Sequence, residues 1–218
     1  MMNKFLFLPL FFFSLNIFSQ NFDYDKVSIE SSLGYSIPMI NKSSDGSGEF
    51  ASFSHINLGV RYMFNHKWGI KSDFSYDTFK DGDKGSNHYR LNLEAYYNVG
   101  DIFDLNNISN QSIALYSHLG GGFTYNNTHI NEVQIGYIPR WERQINVTFG
   151  LSPRFRINDD ISLLADWTNI IATRQQFYYS GEPVSSLTNG EIGFHMTFSL
   201  GISFSIGGFS DHADFHEH

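Results

Sequence analysis

Apolar and polar residues alternate without a break near the end of the chain, over residues 190–206. Every second position in this segment carries a large apolar side chain, and the positions between them are mostly small or polar. A period of two predicts a β-strand with one apolar and one polar face. A strand that crosses a bilayer at a tilt needs about 9–11 residues of this kind, with the apolar face towards lipid. The segment is therefore predicted to be a lipid-facing strand.

Seven further segments show the same alternation, so the pattern covers most of the chain. An even number of strands allows antiparallel closure with both chain ends on the periplasmic side. The connections support this topology, because those after the second and sixth segments are short turns, whereas those after the odd-numbered segments are longer and polar. We predict an all-β fold, an eight-stranded antiparallel up-and-down transmembrane β-barrel. The seven segments are 27–35, 53–64, 68–79, 88–99, 113–125, 145–157 and 161–169.

The sixth segment carries a proline, Pro153, on its predicted lipid-facing side. Proline has no backbone N–H, so in a closed barrel it removes a ladder hydrogen bond unless it lies at the membrane rim or at a bulge. This segment therefore fits the strand pattern less well than the other seven.

The first residues combine one positive charge, a short apolar core and a small residue at position 19. This arrangement predicts a signal peptide at residues 1–19, cleaved near Ser19, with a retained anchor helix as the alternative. The remainder divides into a barrel domain at residues 20–206 and a short periplasmic tail, rich in His and Asp, at residues 207–218. The chain has no cysteine, which excludes a lipid-anchored form, disulfides and thiolate chemistry.

Charged residues change the picture of the barrel interior. The chain has a net charge of -8, which argues against a nucleic-acid partner. Within the segments, charged side chains of nearly balanced sign fall on the inward face. The lumen of an eight-stranded barrel is just wide enough to be filled by side chains, so these charges are expected to pair. The predicted lumen ion-pair network is Glu30, Arg61, Lys71, Asp73, Arg90, Glu94, Arg154, Arg156 and Asp166.

Aromatic residues stand out in the third and fourth long loops, which are otherwise polar. Exposed aromatic side chains often bind a partner, so these are candidate loop contacts. The candidates are Tyr137, Trp141, Phe177, Tyr178 and Tyr179.

A signal peptide, eight alternating strands with aromatic ends, short periplasmic turns and a last strand rich in alternate Phe resemble the OmpA-like outer-membrane β-barrel domain of Gram-negative bacteria. The resemblance implies an integral outer-membrane location among outer-membrane lipids and insertion by the barrel assembly machinery. It also implies a structural, anchoring or scaffolding role. Many OmpA-like proteins continue into a periplasmic peptidoglycan-binding domain. The sequence ends at His218, so we do not carry that tethering activity over.

The leading functional prediction is a non-enzymatic integral outer-membrane barrel, either a structural or scaffolding protein or an accessory subunit that binds outer-membrane protein partners. A narrow passive pore and an outer-leaflet lipid-modifying enzyme are the alternatives. An enzyme needs a nucleophile beside a histidine that a carboxylate orients, and His118 and His195 face inward. No motif brings such a trio together, so we predict no catalytic site and no cofactor.

Two further alternatives concern a metal site in the tail and a different fold for the whole chain. The His and Asp side chains of the tail suit a transition metal, but a solvated tail or a partner-docking peptide is favoured, and no metal site is predicted. A soluble β-sandwich is the alternative fold. Sandwich strands are usually about 5–6 residues long, shorter than the alternating runs of this chain.

Overall fold

The computed structural model describes residues 24–40, 42–43, 52–82, 84–130, 141–184, 190–209 and 211–215. They form one closed antiparallel sheet in which each strand pairs with its neighbours in sequence and the last strand pairs with the first. The predicted fold class is confirmed, and the sandwich alternative is wrong. The strands are β1 (Val27–Ile40), β2 (Ser52–Met63), β3 (Trp68–Asp81), β4 (Lys84–Asn98), β5 (Ile113–Ile130), β6 (Trp141–Arg156), β7 (Ile161–Gln175) and β8 (Glu191–Ile206).

Among the described residues, helical structure is confined to the connection after β4, where a 3-10 helix (Gly100–Phe103) precedes the one-turn helix α1 (Leu105–Ile108). No helix within the described ranges is long and apolar enough to cross a bilayer. The predicted signal peptide and Tyr137 lie outside the described residues, and the signal peptide stays a prediction.

Several strands are longer than predicted at the end opposite the short turns. The predicted loop at 80–87 is instead a continuation of β3 and β4, which pair as far as Asp81 with Lys84. The turn between them contains Gly82 at a φ of 58°, a conformation that suits glycine in tight hairpins. On the extensions of β3 and β4 the outward side chains of Lys80 and Asn87 are polar, so hydrophobic alternation no longer marks them although the ladder continues.

The outer wall of the barrel is apolar. Phe123 on β5 and Leu200 on β8 are 69% and 72% exposed, and every strand presents large apolar side chains outward. The inward positions are mostly polar or charged and buried. This distribution is the reverse of a soluble protein's and is that of a barrel whose wall faces lipid.

Aromatic side chains mark both edges of the apolar wall. Trp68 and Tyr97 pack together near the short turns, with ring centroids 4.6 Å apart. Tyr76 and Tyr89 do so near the long loops, at 5.1 Å. Trp68 and Tyr76 are separated by about 26 Å along β3, which corresponds to a height of about 20 Å at a strand tilt of about 35–45°, close to the apolar band of about 25 Å in outer-membrane barrels.

Pro153 interrupts the pairing of β6 with β7. The ladder runs from Asn146 to Leu151, which pairs with Trp167, and resumes where Arg154 pairs with Leu164. Ser152 and Pro153 lie between these pairs. The loss of ladder pairing expected from the proline therefore falls on the β7 side, whereas Pro153 keeps its place opposite Leu115 on β5.

Candidate functional site

A cluster of three cations surrounds one carboxylate in the periplasmic half of the lumen. Glu30 on β1 lies 2.8 Å from Arg61 Nε, 2.7 Å from Arg154 Nη1 and 3.1 Å from Lys71 Nζ. All four side chains are buried. One carboxylate cannot neutralise three buried cations, so the cluster needs a second anion.

The second anion comes from the C-terminal tail. Arg61 donates two hydrogen bonds to Asp214, Nη1 to Oδ1 at 2.7 Å and Nη2 to Oδ2 at 2.5 Å. Tyr116 donates a third at 2.7 Å. Paired hydrogen bonds between a guanidinium and a carboxylate are among the strong interactions of buried polar groups. Asp214 is therefore the second carboxylate of the cluster around Glu30.

The backbone of the tail is fixed at the periplasmic mouth. The Ala213 N–H donates to the Asp25 carbonyl at 2.9 Å, and His212 forms a bridge with Asp25. Ala213 and Phe215 are buried against Met63 and the aromatic side chains around it. The prediction of a solvated tail is therefore wrong for residues 211–215, which close this end of the lumen.

Glycines on the inward face let long side chains reach across a strand. Lys71 on β3 passes over Gly59 on β2 to reach Glu30, and a Cβ at Gly59 would lie only 2.5 Å from Lys71 Cε. His118 on β5 passes over Gly150 on β6 in the same way, with its Nε2 2.6 Å from an added Cβ. Which charged side chains meet in the lumen therefore depends on the positions of glycines as well as on the order of the strands.

A second group lies beside the first, towards the middle of the lumen. Glu94 accepts a hydrogen bond from Thr148 at 2.8 Å, and its other oxygen lies 3.1 Å from His118 Nδ1. The second ring nitrogen of His118 is 3.6 Å from Asp166. Glu94 and Asp166 are therefore bridged by one imidazole.

Two residues of the predicted network lie in other surroundings. Asp73 is buried and accepts hydrogen bonds from Asn57 at 2.7 Å and Ser75 at 3.0 Å. Arg156 lies at the periplasmic rim, where it pairs with Asp159 at 2.8 Å and with Asp211 at 2.9 Å. Arg156 therefore binds a turn and the tail, because it is the last residue of β6 and lies beyond the packed interior.

The remaining network residue, Arg90, belongs to a group near the long loops. Its Nη1 lies 2.5 Å from Asp77, which also accepts from Ser36 and lies 2.8 Å from His55 Nδ1. The same nitrogen of Arg90 donates to His195 Nε2 at 2.7 Å. A guanidinium only donates, so His195 Nε2 accepts and a neutral His195 carries its proton on Nδ1.

The extracellular mouth is closed by the segment after β7. The Tyr179 hydroxyl lies 2.9 Å from His195 Nδ1, and its ring stacks on His88 at 5.2 Å. Ser86 donates to the Tyr179 carbonyl at 2.8 Å, and Phe79 packs edge-on against the ring. Tyr179 is fully buried.

This closure corrects part of the predicted set of loop contacts. Phe177 and Tyr179 are buried, so the prediction that they are exposed is wrong. Tyr178 is half-buried, and Trp141 is 53% exposed. Tyr179 packs against Phe79 and His88 of the lumen, and this contact buries apolar surface that the loop would otherwise expose.

The polar interior leaves little free space between the two closures. A cavity in the middle of the lumen measures about 20 Å³ and is lined by charged and polar side chains including Lys71, Asp73 and Glu94. That volume holds about one water molecule. In the part of the chain that the structure describes, side chains therefore fill the lumen around this cavity.

The groups around the candidate catalytic histidines form structural contacts. In the described part of the chain, neither His118 nor His195 is hydrogen-bonded to a serine hydroxyl, and no group of three or more His, Asp or Glu side chains there has the geometry of a metal site. Ser86 Oγ lies 3.1 Å from His88 Nε2, but both are buried beneath Tyr179. The absence of enzymatic activity stays a prediction.

Sequence reasoning identified some residues of these groups and missed others. Alternation predicts that Asp77, His55 and His88 face inward, but the predicted ion-pair network does not include them. Tyr179 and Asp214 lie outside the strands, and no periodic signal marks them. Only the folded chain shows that both point into the lumen.

Replacing Tyr179 with phenylalanine removes one hydrogen bond and keeps the packing. We expect a free energy of unfolding lower by about 1–2 kcal/mol, because His195 Nδ1 is then left without its partner in a buried site. Urea unfolding in detergent micelles measures the change. Tyr178→Phe, half-buried beside it, is the control and is expected to change stability by less than about 0.5 kcal/mol. Equal stability of both variants would contradict the assigned contact.

Asp214 makes stability depend on pH. Burial alone would raise the pKa of Asp214, but Arg61, His212 and Arg154 outweigh it and hold that pKa well below its usual range. A carboxyl with a lowered folded-state pKa stabilises the fold above its unfolded-state pKa of about 3.9 and loses this contribution as the pH falls. The stability difference between the wild type and Asp214→Asn should therefore shrink by about 1 kcal/mol from pH 7 to pH 3. Unfolding at the two pH values tests this, and a constant difference would contradict it.

Comparisons with solved structures show barrels of the same kind. Neisserial surface protein A is 12% identical, with 83% of this chain and 97% of that one covered and a TM-score of 0.54. The chain has the fold of the small outer-membrane β-barrels. The attachment invasion locus protein Ail of Yersinia pestis is 16% identical, with coverages of 84% and 99% and a TM-score of 0.51. A major outer membrane protein of Thermus thermophilus is 12% identical, with coverages of 83% and 98% and a TM-score of 0.52.

No protein-family model and no curated protein sequence matches the chain. At 12–16% identity, the likeness to solved structures concerns the fold alone.

Proposed function

We propose that this chain is a non-enzymatic integral protein of the outer membrane with a structural or scaffolding role, acting as an accessory subunit of a larger outer-membrane protein complex. The filled lumen is the observation that carries the proposal. Within the described residues, the cavity in the middle of the lumen measures about 20 Å³ and holds about one water molecule. Interactions with other molecules therefore fall to the outer wall, the loops and the rims.

The two closures support this role over a passive pore. A pore would need both Asp214 and Tyr179 to leave the lumen, and each is fully buried and hydrogen-bonded. Departure of Asp214 would leave Arg61 and Arg154 sharing Glu30 as buried cations. Leaving buried charges without partners costs several kcal/mol, so an open state is a rare one.

The proposed location follows from the wall and the fold together. The apolar wall with aromatic edges suits a bilayer, and the barrels of similar fold are described as surface or outer-membrane proteins. We include in the proposal a cleaved signal peptide ending near Ser19, insertion by the barrel assembly machinery and an OmpA-like relationship.

Site-specific photo-crosslinking in native membranes tests the subunit role. A photoreactive amino acid is placed at outward positions around the barrel, one at a time: Leu58, Leu93, Leu119 and Leu200, all more than half exposed. The matched control is Tyr116, which is fully buried in the lumen. Adducts are identified by mass spectrometry after purification.

We expect adducts with one defined membrane protein at adjacent outward positions and none at Tyr116. Adducts confined to one side of the barrel would place the interface on that wall. Lipid adducts alone at all four outward positions would overturn the subunit role. The same membranes then provide material for conductance and lipid-hydrolysis measurements.

A further inference from the structure

Three tyrosines form a row on the outer face of the barrel near the long loops. Tyr76 on β3 pairs with Tyr89 on β4, which pairs with Tyr125 on β5. Trp141 stacks on Tyr125 at 4.7 Å. Tyrosine and tryptophan prefer the boundary between apolar membrane and water. This tyrosine row therefore marks the outer-leaflet interface on this side of the barrel.

Neutral polar side chains form the next row towards the loops. Thr78, Asn87 and Asn127 are neighbours in register on β3, β4 and β5. The Tyr76 hydroxyl connects the two rows, at 3.0 Å from Thr78 Oγ1 and 3.2 Å from Asn87 Oδ1. Amide and hydroxyl groups just outside an aromatic edge are placed to hydrogen-bond the hydroxyls of a lipid headgroup.

Two cations and one imidazole complete this surface. In the row beyond the amides, Lys80 on β3 and His129 on β5 flank Gly85, and the His129 ring lies over that glycine, 3.0 Å from where a Cβ would be. Arg143 on β6 lies over the Tyr125 ring, with Cζ 5.7 Å from its centroid. We call Lys80, His129 and Arg143 the cationic rim.

The charge of this face is opposite to that of the chain. Among the described outward positions of β3, β4, β5 and β6, the charged and imidazole side chains are those of the cationic rim, and no carboxylate is among them. The whole chain has a net charge of -8. Within the described residues, Lys80 and Arg143 have no ion-pair partner, so both remain available to an anion.

An amphipathic groove adjoins the cationic rim. It measures about 530 Å³, and its lining passes from apolar to polar along its length. Leu33, Phe53 and Ile56 line the apolar part, whereas Lys80 and His129 line the polar part. A groove of this kind fits a molecule with an alkyl chain at one end and an anionic polar group at the other.

We propose that the cationic rim, the polar row and the groove bind a phosphorylated, acylated saccharide lipid of the outer leaflet. Its acyl chains lie on the apolar wall and in the groove, its sugar hydroxyls face the polar row, and its phosphates bind the cations. Arg143 is in register with Tyr76, and Lys80 lies four residues beyond Tyr76 on β3. With strands about 4.8 Å apart and a rise of about 3.3 Å per residue, the backbone positions of Lys80 and Arg143 are separated by about 20 Å. Both side chains are long, so a disaccharide with a phosphate at each end can contact both charges. This inference goes beyond the subunit role and does not depend on it.

Native mass spectrometry of the detergent-solubilised protein tests the proposal. The protein is titrated with an acylated diglucosamine lipid carrying two phosphates, and separately with the same lipid carrying one phosphate or none. The test variant is Lys80→Ala/Arg143→Ala. The control is Lys26→Ala/Lys67→Ala, which removes the same charge at the opposite, periplasmic end of the barrel.

We expect the wild type and the control to prefer the lipid with two phosphates, and the test variant to bind it about 100-fold more weakly. Each lost charge-assisted hydrogen bond corresponds to roughly a tenfold change in affinity. Equal binding by test variant and wild type, or no preference among the three lipids, would overturn the proposal. Displacement of the lipid by millimolar inorganic phosphate would also overturn it, because the site would then be one for free anions.

Discussion

Replacing Asp214 with alanine is expected to lower the free energy of unfolding by about 3–5 kcal/mol, because the change leaves buried Arg61 and Arg154 sharing one remaining carboxylate. Arg61 is fully buried and loses two hydrogen bonds of 2.7 and 2.5 Å at once. Urea unfolding of the refolded barrel, followed by tryptophan fluorescence and by heat-modifiable gel mobility, measures the loss.

The neighbouring Asp211 is the matched control for this prediction. It pairs with Arg156 at 2.9 Å, and both side chains are about one fifth exposed, at 22% and 21%. Solvent-exposed ion pairs contribute about 0–1 kcal/mol, so Asp211→Ala should change stability little. If both variants match the wild type within about 1 kcal/mol, Asp214 does not hold the tail in the lumen.

Replacing Glu30 with glutamine is expected to destabilise the barrel by a similar amount, about 3–5 kcal/mol. Glutamine has almost the same shape, so the change removes the charge that pairs with Lys71 and leaves Arg61 and Arg154 to share Asp214. The control is Glu142→Gln. Glu142 is also buried, but within the described residues it has no cationic partner, and its Oε1 accepts the Gln176 N–H, which an amide oxygen can still do.

A double variant separates the charge from the packing at this site. Adding Arg154→Met to Glu30→Gln removes one of the three cations that had surrounded Glu30 while keeping an unbranched side chain. The double variant should therefore be less destabilised than the sum of the two single variants, with a coupling of about 1–3 kcal/mol. Simple additivity would show that Glu30 and Arg154 do not act as one cluster.

The barrel itself could be predicted from the sequence because its determinant is local. Each strand has its own alternation, as residues 190–206 show, and the even count with short and long connections sets the order of the strands. The end of β3 was predicted too early and the start of β4 too late, at the point where their outward residues become polar. Lys80 and Asn87 belong to paired strands, but their polarity made the segment between them resemble a loop.

The contents of the lumen could be predicted only in part. Alternation identified Glu30, Arg61 and Arg154 as inward, but the pairs depend on barrel stagger and on glycines such as Gly59, which no single strand shows. The two closures could not be predicted. Asp214 and Tyr179 lie in polar segments without a period, and their burial depends on charges and rings contributed by distant strands.

Ion flux through the purified wild-type barrel in lipid vesicles tests the central claim, a lumen filled and closed at both ends, most directly. Heat-modifiable gel mobility of the vesicle protein first establishes that the barrel is folded and inserted. An absence of flux then reflects a closed lumen and not a failure of insertion. We predict no flux above that of protein-free vesicles at a density of several barrels per vesicle. Steady, ohmic flux that scales with the number of inserted barrels would contradict the account and make the protein a pore.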